Sequence, residues 1–162
     1  MIGSGYVTKD EMGNIYDKYK NSVYRLAFAY CKNTADAEDA VQETFIKYFQ
    51  KYTDISDSEH EKAWLITVAT NKCRDMLRYR TRHATESEDL LATYAVEKED
   101  SGILEALMEL SDKYRIIMVL FYVEQYKIDE IAKITGISAS AVKMRLSRGR
   151  KLLEEKYRKE YM

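Results

Sequence analysis

An all-α fold of two small helical domains is predicted from three features of this sequence. It holds no proline and only six glycines in 162 residues, so both strong helix breakers are scarce. Apolar residues recur at helical spacing through most of the chain. Between residues 84 and 101 that rhythm is lost in a stretch rich in Glu, Asp, Ser and Thr. This stretch reads as an acidic linker separating a domain over 8–83 from one over 102–158.

The first helix is expected from about Thr8 to Lys32. Thr8 and Glu11 have capping-box spacing, and Met12, Ile15, Tyr16, Tyr19, Val23, Leu26, Ala27 and Tyr30 form its apolar stripe. Asn33 and Thr34 interrupt the stripe and offer a new N-cap. A second helix then carries Ala37, Ala40, Val41, Phe45, Tyr48, Phe49 and Tyr52 on one side. Its other side shows Asp36, Glu38, Asp39, Gln42 and Glu43. The polar loop TDISDSE over residues 53–59 leads to a third helix, with a capping box expected from Ser58 and Glu61. Leu65, Ile66, Ala69, Cys73, Met76 and Leu77 are its inward stripe.

After the linker, in which LLATYAV has the composition for a transient turn, the helical pattern resumes. ILEALMEL comes first, then an apolar helix over Tyr114 to Glu124, then IDEIAKI, then a long helix from Ser138 to about Tyr157.

Composition excludes several classes. With 46% hydrophobic and 33% charged residues, this is a globular rather than a disordered chain. The longest apolar run, Ile116 to Val123, is too short to cross a bilayer, and the N-terminus lacks a signal-peptide pattern. Cys31 and Cys73 are the only cysteines, which leaves neither a disulfide framework nor zinc spacing. Both are expected on helices as small buried groups, in a reducing cytoplasm. No metal or cofactor is expected. For an enzyme, His60 and His83 are the available histidines, and neither has a partner at triad or ligand spacing; no Gly-rich phosphate loop is present.

Net charge is −1, but the charges come in blocks. Residues 72–83 sum to +4 and 143–162 to +5, against −6 over 34–61 and −8 over 84–112. Alternating blocks of this size suit several different partners; solvated helix faces and a soluble tether remain the plainer alternative.

The spacing of IDEIAKITGISASAVKMRL is that of a helix-turn-helix. Ile131 and Ala132 pack inward, Gly136 supplies the turn where positive φ costs only glycine little, Ile137 plugs the junction and Ser138 caps the second helix. Val142, Leu146 and Leu153 seat that helix. At 100° per residue, Ser140, Met144, Ser147 and Lys151 then point outward, flanked by Lys143 and Arg148. Such a face suits a major groove, where three or four side chains reach base edges. Lys143 and Arg148 can donate to guanine or phosphate, and the serines to several edges. Arg145, Arg150 and Lys156 read as phosphate or surface residues.

NSVYRLAFAYCKNTADAEDAVQETFIKYFQKY and AWLITVATNKCRDMLRYR resemble the second conserved region of bacterial RNA polymerase sigma factors. ALMELSDKYRIIMVLFYVEQYKIDEIAKITGISASAVKMRLSRGRKLLEE resembles their fourth region. The length and the missing middle region are similar to the compact extracytoplasmic-function group, and the resemblance covers roughly residues 15–83 and 103–156.

That resemblance implies a division of labour. The DAEDAVQETF helix would dock on the clamp helices of the polymerase β′ subunit through Asp36, Glu38, Asp39, Gln42 and Glu43. An acidic face of this kind suits a cationic protein surface and is repelled by DNA. The third helix would read the minus-ten element, Asn71 through base edges and Arg74 and Arg78 through phosphates. A base unstacked before that helix would favour melted DNA, although the acidity of TDISDSEHEK departs from the family's loop. Trp64 has two readings, a base-stacking ring or a core tryptophan.

By the same resemblance, Lys143, Met144, Ser147 and Arg148 would face the minus-thirty-five bases, and the C-terminal domain would also meet the flap of the β subunit. Met144 stands where the family often has serine, and Tyr79 interrupts what is often a run of arginines. An anti-sigma factor is a further partner that the resemblance implies. The competing function is a self-sufficient helix-turn-helix regulator that binds a duplex site alone.

Overall fold

The computed structural model describes residues 8–51, 58–82 and 101–161. They contain helices and no strand. The linker, the loop before the third helix, and the LLATYAV turn lie outside the described residues, except that the chain is already helical at Ser101, the last residue expected in the linker. The described residues divide into two compact units.

The first unit is a bundle of α1 (Lys9–Cys31), α2 (Thr34–Gln50) and α3 (Ser58–Arg82), each packed on the other two. Local chemistry sets the helix ends. Thr8 Oγ1 accepts from the Glu11 amide at 3.1 Å while Glu11 Oε2 accepts from the Thr8 amide at 3.1 Å, the reciprocal capping box. Lys32 closes α1 in the left-handed conformation at φ 58°, and Asn33 begins α2, its Oδ1 accepting from the Asp36 amide at 2.8 Å. Ser58 is itself helical, inside the first turn of α3 rather than before it, where the capping box was expected.

The core follows the apolar stripes. Val23, Leu26, Ala27 and Tyr30 from α1 meet Ala37, Ala40, Val41, Phe45 and Tyr48 from α2 and Leu65, Ile66, Ala69 and Cys73 from α3, all buried. The stripe of α1 does not bury throughout: Met12 and Tyr16 stay exposed, and burial begins at Tyr19. Both cysteines are buried free thiols. They meet across α1 and α3, and the Cys73 thiol is pushed far up, first by its hydrogen bond with Cys31 and then by burial.

The second unit contains α4 (Ser101–Met108), α5 (Asp112–Met118), α6 (Ile128–Thr135) and α7 (Ala139–Tyr161), with α5 and α6 packed on α7. The single helix expected over Tyr114 to Glu124 changes character midway. Residues Val119–Val123 form a π-helical turn, closed by the Glu124 amide on the Val119 carbonyl at 3.0 Å, after which Gln125 takes φ 60°. Arg115 is fully buried, yet its guanidinium is satisfied: Nη1 donates to the Leu110 carbonyl at 2.8 Å and Nη2 to Asp112 Oδ1 at 2.7 Å. That cation ties the turn after α4 to the start of α5.

Candidate nucleic-acid and polymerase interfaces

The helix-turn-helix forms from the residues expected to form it. Gly136 ends α6 at φ 75°, its amide bonded to the Ala132 carbonyl at 2.9 Å. Ser138 Oγ accepts from the Ala141 amide at 3.1 Å and so caps α7. Ile131 is buried, with Ala132 and Ile137 half-buried at the junction. Val142 and Leu146 are buried beneath α7, and Leu153 is half-buried.

With that side seated, Ser140, Lys143, Met144, Ser147, Arg148 and Lys151 are all exposed, so the outward face is available as a set. The other cations of α7 differ among themselves. Arg145 is half-buried beside the core. Arg150 Nη1 donates to the Tyr122 hydroxyl at 2.9 Å, and Lys156 Nζ donates to the Glu109 carbonyl at 3.1 Å. The Tyr114 phenol is held below its ordinary value, chiefly by Lys113 and to a lesser degree by a hydrogen bond from Arg148. Arg148 and Arg150 thus each meet a tyrosine from the helical segment 112–123, Tyr114 in α5 and Tyr122 in the π-helical turn.

Sequence reasoning missed Gly149. It is buried in the middle of α7, and a Cβ built there would lie 3.0 Å from Met118 Sδ and 3.1 Å from Met118 Cγ. The available signal was its position, seven residues after Val142 and three after Leu146, on the seated side of the helix.

In the first unit, the polar side of α2 lies opposite its buried stripe. Asp39, Gln42 and Glu43 are exposed, whereas Asp36 and Glu38 are half-buried. Two of these carboxylates also have work within the fold. Asp36 Oδ2 accepts from Asn33 Nδ2 at 2.9 Å, completing the cap of its own helix. Glu43 pairs with Lys72 of α3 at 2.9 Å, with both side chains partly exposed. Such a pair contributes at most about 1 kcal/mol.

On α3, Asn71 and Arg78 are exposed and Arg74 is half-buried. Arg78 Nη1 lies 3.6 Å from Asp75 Oδ1 one turn away. Arg74 lies beside the Tyr30 phenol, which burial raises and the Arg74 charge opposes. The three residues therefore share a side of α3, with Arg74 at its margin. Trp64 is half-buried and meets the Tyr48 ring edge-on at 5.7 Å between centroids, the placement of a core-edge tryptophan. No group of His, Cys, Asp or Glu able to hold a metal ion occurs among the described residues.

A helical bundle with a carboxylate-bearing outer helix, in one chain with a helix-turn-helix whose outward face is cationic, defines a DNA-binding protein that also carries a surface unsuited to DNA. The family comparisons identify the class. Residues 15–83 match Sigma-70 region 2, and residues 101–153 match Sigma-70, region 4. The RNA polymerase sigma factor SigV of Bacillus subtilis is 34% identical over 146 residues, covering 88% of each chain. The ECF RNA polymerase sigma factor SigM of the same organism is 33% identical, covering 88% of this chain and 93% of the relative. Among solved structures, the sigma factor RpoE of Bartonella quintana, crystallised with the anti-sigma factor NepR, matches with a TM-score of 0.70 at 26% identity, covering 91% of this chain and 94% of the other. This chain belongs to the sigma-70 family of RNA polymerase sigma factors, in its extracytoplasmic-function (ECF) group.

Proposed function

We propose that this sigma factor divides its work among three helices. The outer side of α2, through Asp36, Glu38, Asp39, Gln42 and Glu43, docks on the β′ clamp helices of core RNA polymerase. Asn71, Arg74 and Arg78 of α3 contact the minus-ten element, and Ser140, Lys143, Met144, Ser147, Arg148 and Lys151 of α7 contact the minus-thirty-five element in the major groove. Residues 8–83 and 102–158 form the two functional domains, joined by the acidic linker 84–101. The second domain also meets the β flap.

Promoter melting then proceeds by differential binding. Extruding a base costs on the order of a few kcal/mol, and a site that accepts only the extruded base favours open DNA. The protein is not itself an enzyme, and it acts in the cytoplasm. No helix among the described residues is long and apolar enough to cross a membrane. An anti-sigma factor is its natural antagonist, a partner class already present in the RpoE–NepR complex.

The observation that carries this reading is the side of α2 turned from the core. Asp39, Gln42 and Glu43 are exposed there, on a helix whose opposite stripe is buried. A stand-alone regulator has no use for that surface. The test is binding of the full chain to core polymerase, followed by promoter opening. Asp39→Lys reverses one charge at an exposed position and is expected to weaken polymerase binding while leaving the melting temperature unchanged. Unchanged affinity removes α2 as the docking surface, and tight, specific promoter binding without polymerase favours the regulator instead.

A further inference from the structure

One member of the outward face of α7 is not polar. Val142 is fully buried, and at 100° per residue Met144 lies within about 20° of the point directly opposite it, as do Ser140 and Lys151. Met144 is 48% exposed. Tyr122 and Tyr157 are the other exposed large hydrophobics among the described residues of the second unit, and each carries a hydroxyl. Met144 has no hydrogen to donate, and its thioether sulfur accepts only weakly.

Its neighbours leave it standing proud. The residues one turn away on α7 are Ser140, Ala141, Ser147 and Arg148, and three of these four are small. Ser140, Ser147 and Arg148 are exposed, and Ala141 is half-buried. The helix beneath is firmly held, with Val142 and Leu146 buried and Ser138 capping the first turn. The face therefore presents an apolar centre bordered by hydroxyls and a guanidinium.

A major groove offers such a centre one match. Its floor is lined with hydrogen-bond donors and acceptors, and the apolar group among them is the C5-methyl of thymine. Laid against guanine, adenine or cytosine, a methionine would cover polar atoms that it cannot pair, which is unfavourable. Against thymine it covers a methyl group, and its unbranched, flexible chain adapts to that contact.

We propose that Met144 is a specificity-determining residue: it packs on the C5-methyl of one thymine and so selects a T·A pair at that position of the minus-thirty-five element. The inference rests on the groove-facing reading of α7 given above and deepens it. Ser147 and Arg148, one turn further along, serve the adjoining polar edges and phosphates.

The experiment uses the full chain bound to core polymerase and a pool of promoter duplexes randomised through the minus-thirty-five element. Selection by the parent is expected to fix thymine at one position on one strand. Deoxyuridine in place of that thymine removes only the methyl, and is expected to weaken binding about fourfold, the effect of one buried methyl. Met144→Ala is expected to lose the preference at that position alone and to bind the thymine and deoxyuridine duplexes equally. Met144→Leu, still apolar, keeps the preference. Met144→Ala keeps the melting temperature of the parent, since the residue is largely exposed.

If no single deoxyuridine weakens parent binding beyond about twofold, or if the loss persists undiminished in Met144→Ala, the methyl contact is wrong. Arg148→Ala separates that failure from a failure of the groove reading. Base preferences changed by Arg148→Ala but not by Met144→Ala overturn the inference alone. Preferences unchanged by both remove this face from the groove, and the inference with it.

Discussion

Arg150 donates through Nη1 to the Tyr122 hydroxyl at 2.9 Å, joining the middle of α7 to the π-helical turn 28 residues earlier in the chain. Both residues are exposed, so the bond orients the guanidinium more than it stabilises the unit. Tyr122→Phe is expected to cost no more than about 1 kcal/mol in denaturant unfolding. Arg150→Ala is expected to weaken promoter binding across sequences and to reduce the slope of log K against log salt by about 1, the signature of one phosphate contact. An unchanged slope excludes Arg150 from the phosphate contacts.

Arg148 stands on the outward side of α7 with Tyr114 beside it. Arg148→Ala is expected to cost about 1–3 kcal/mol in binding at promoters that depend on the minus-thirty-five element. Transcription from matched promoters with and without that element measures it. Equal activity of variant and parent at both would show that the side chain does not face the groove.

Gly149 meets Met118 where a Cβ has no room without movement. Gly149→Leu is therefore expected to destabilise the second unit by about 1–3 kcal/mol through overpacking. Gly149→Ala is expected to come out near neutral, because the gain in helix propensity, about 1 kcal/mol, is offset by displacing the methionine. Adding Met118→Ala to Gly149→Leu should recover part of the loss. A double-mutant cycle without coupling would contradict the contact.

The Cys31–Cys73 pair makes a prediction about pH. The Cys73 thiol is raised in the fold and so stays neutral there, whereas in the unfolded chain a thiol ionises near about 8.5. The unfolded state therefore releases the proton first. The stabilising contribution is complete below that pH and is lost progressively as pH rises above it toward the raised value of the folded state. Urea unfolding between pH 7 and 9.5 is expected to show falling stability, with a shallower fall in Cys73→Ala. Alkylation of the native protein should be limited by unfolding, since both thiols are buried; fast labelling without unfolding would count against the buried pair.

Much of the fold was legible because helix ends and faces are short-range matters. Thr8 with Glu11, Asn33 with the Asp36 amide, and Ser138 with the Ala141 amide each act across three residues, and Gly136 answers to its own φ. The outward set on α7 followed from one angle and one anchor, Val142, and all six of its members are exposed. The acidic side of α2 was visible in the same way. Its double duty was not: nothing near Glu43 in sequence announces Lys72, and the sequence pattern could not tell that Asp36 completes a cap while Asp39 stands clear of it.

Residue order alone established the helical class, the caps at Thr8, Asn33 and Ser138, most of the buried stripes, and which polar residues share a helix face, since each depends on neighbours within about one turn. Long-range packing settled the widened turn at Val119–Val123, the close approach of Gly149 to Met118, the burial of Arg115, and the tyrosines beside Arg148 and Arg150. Those features depend on which side chains from distant parts of the chain arrive at the same place, and helical periodicity carries no record of that meeting.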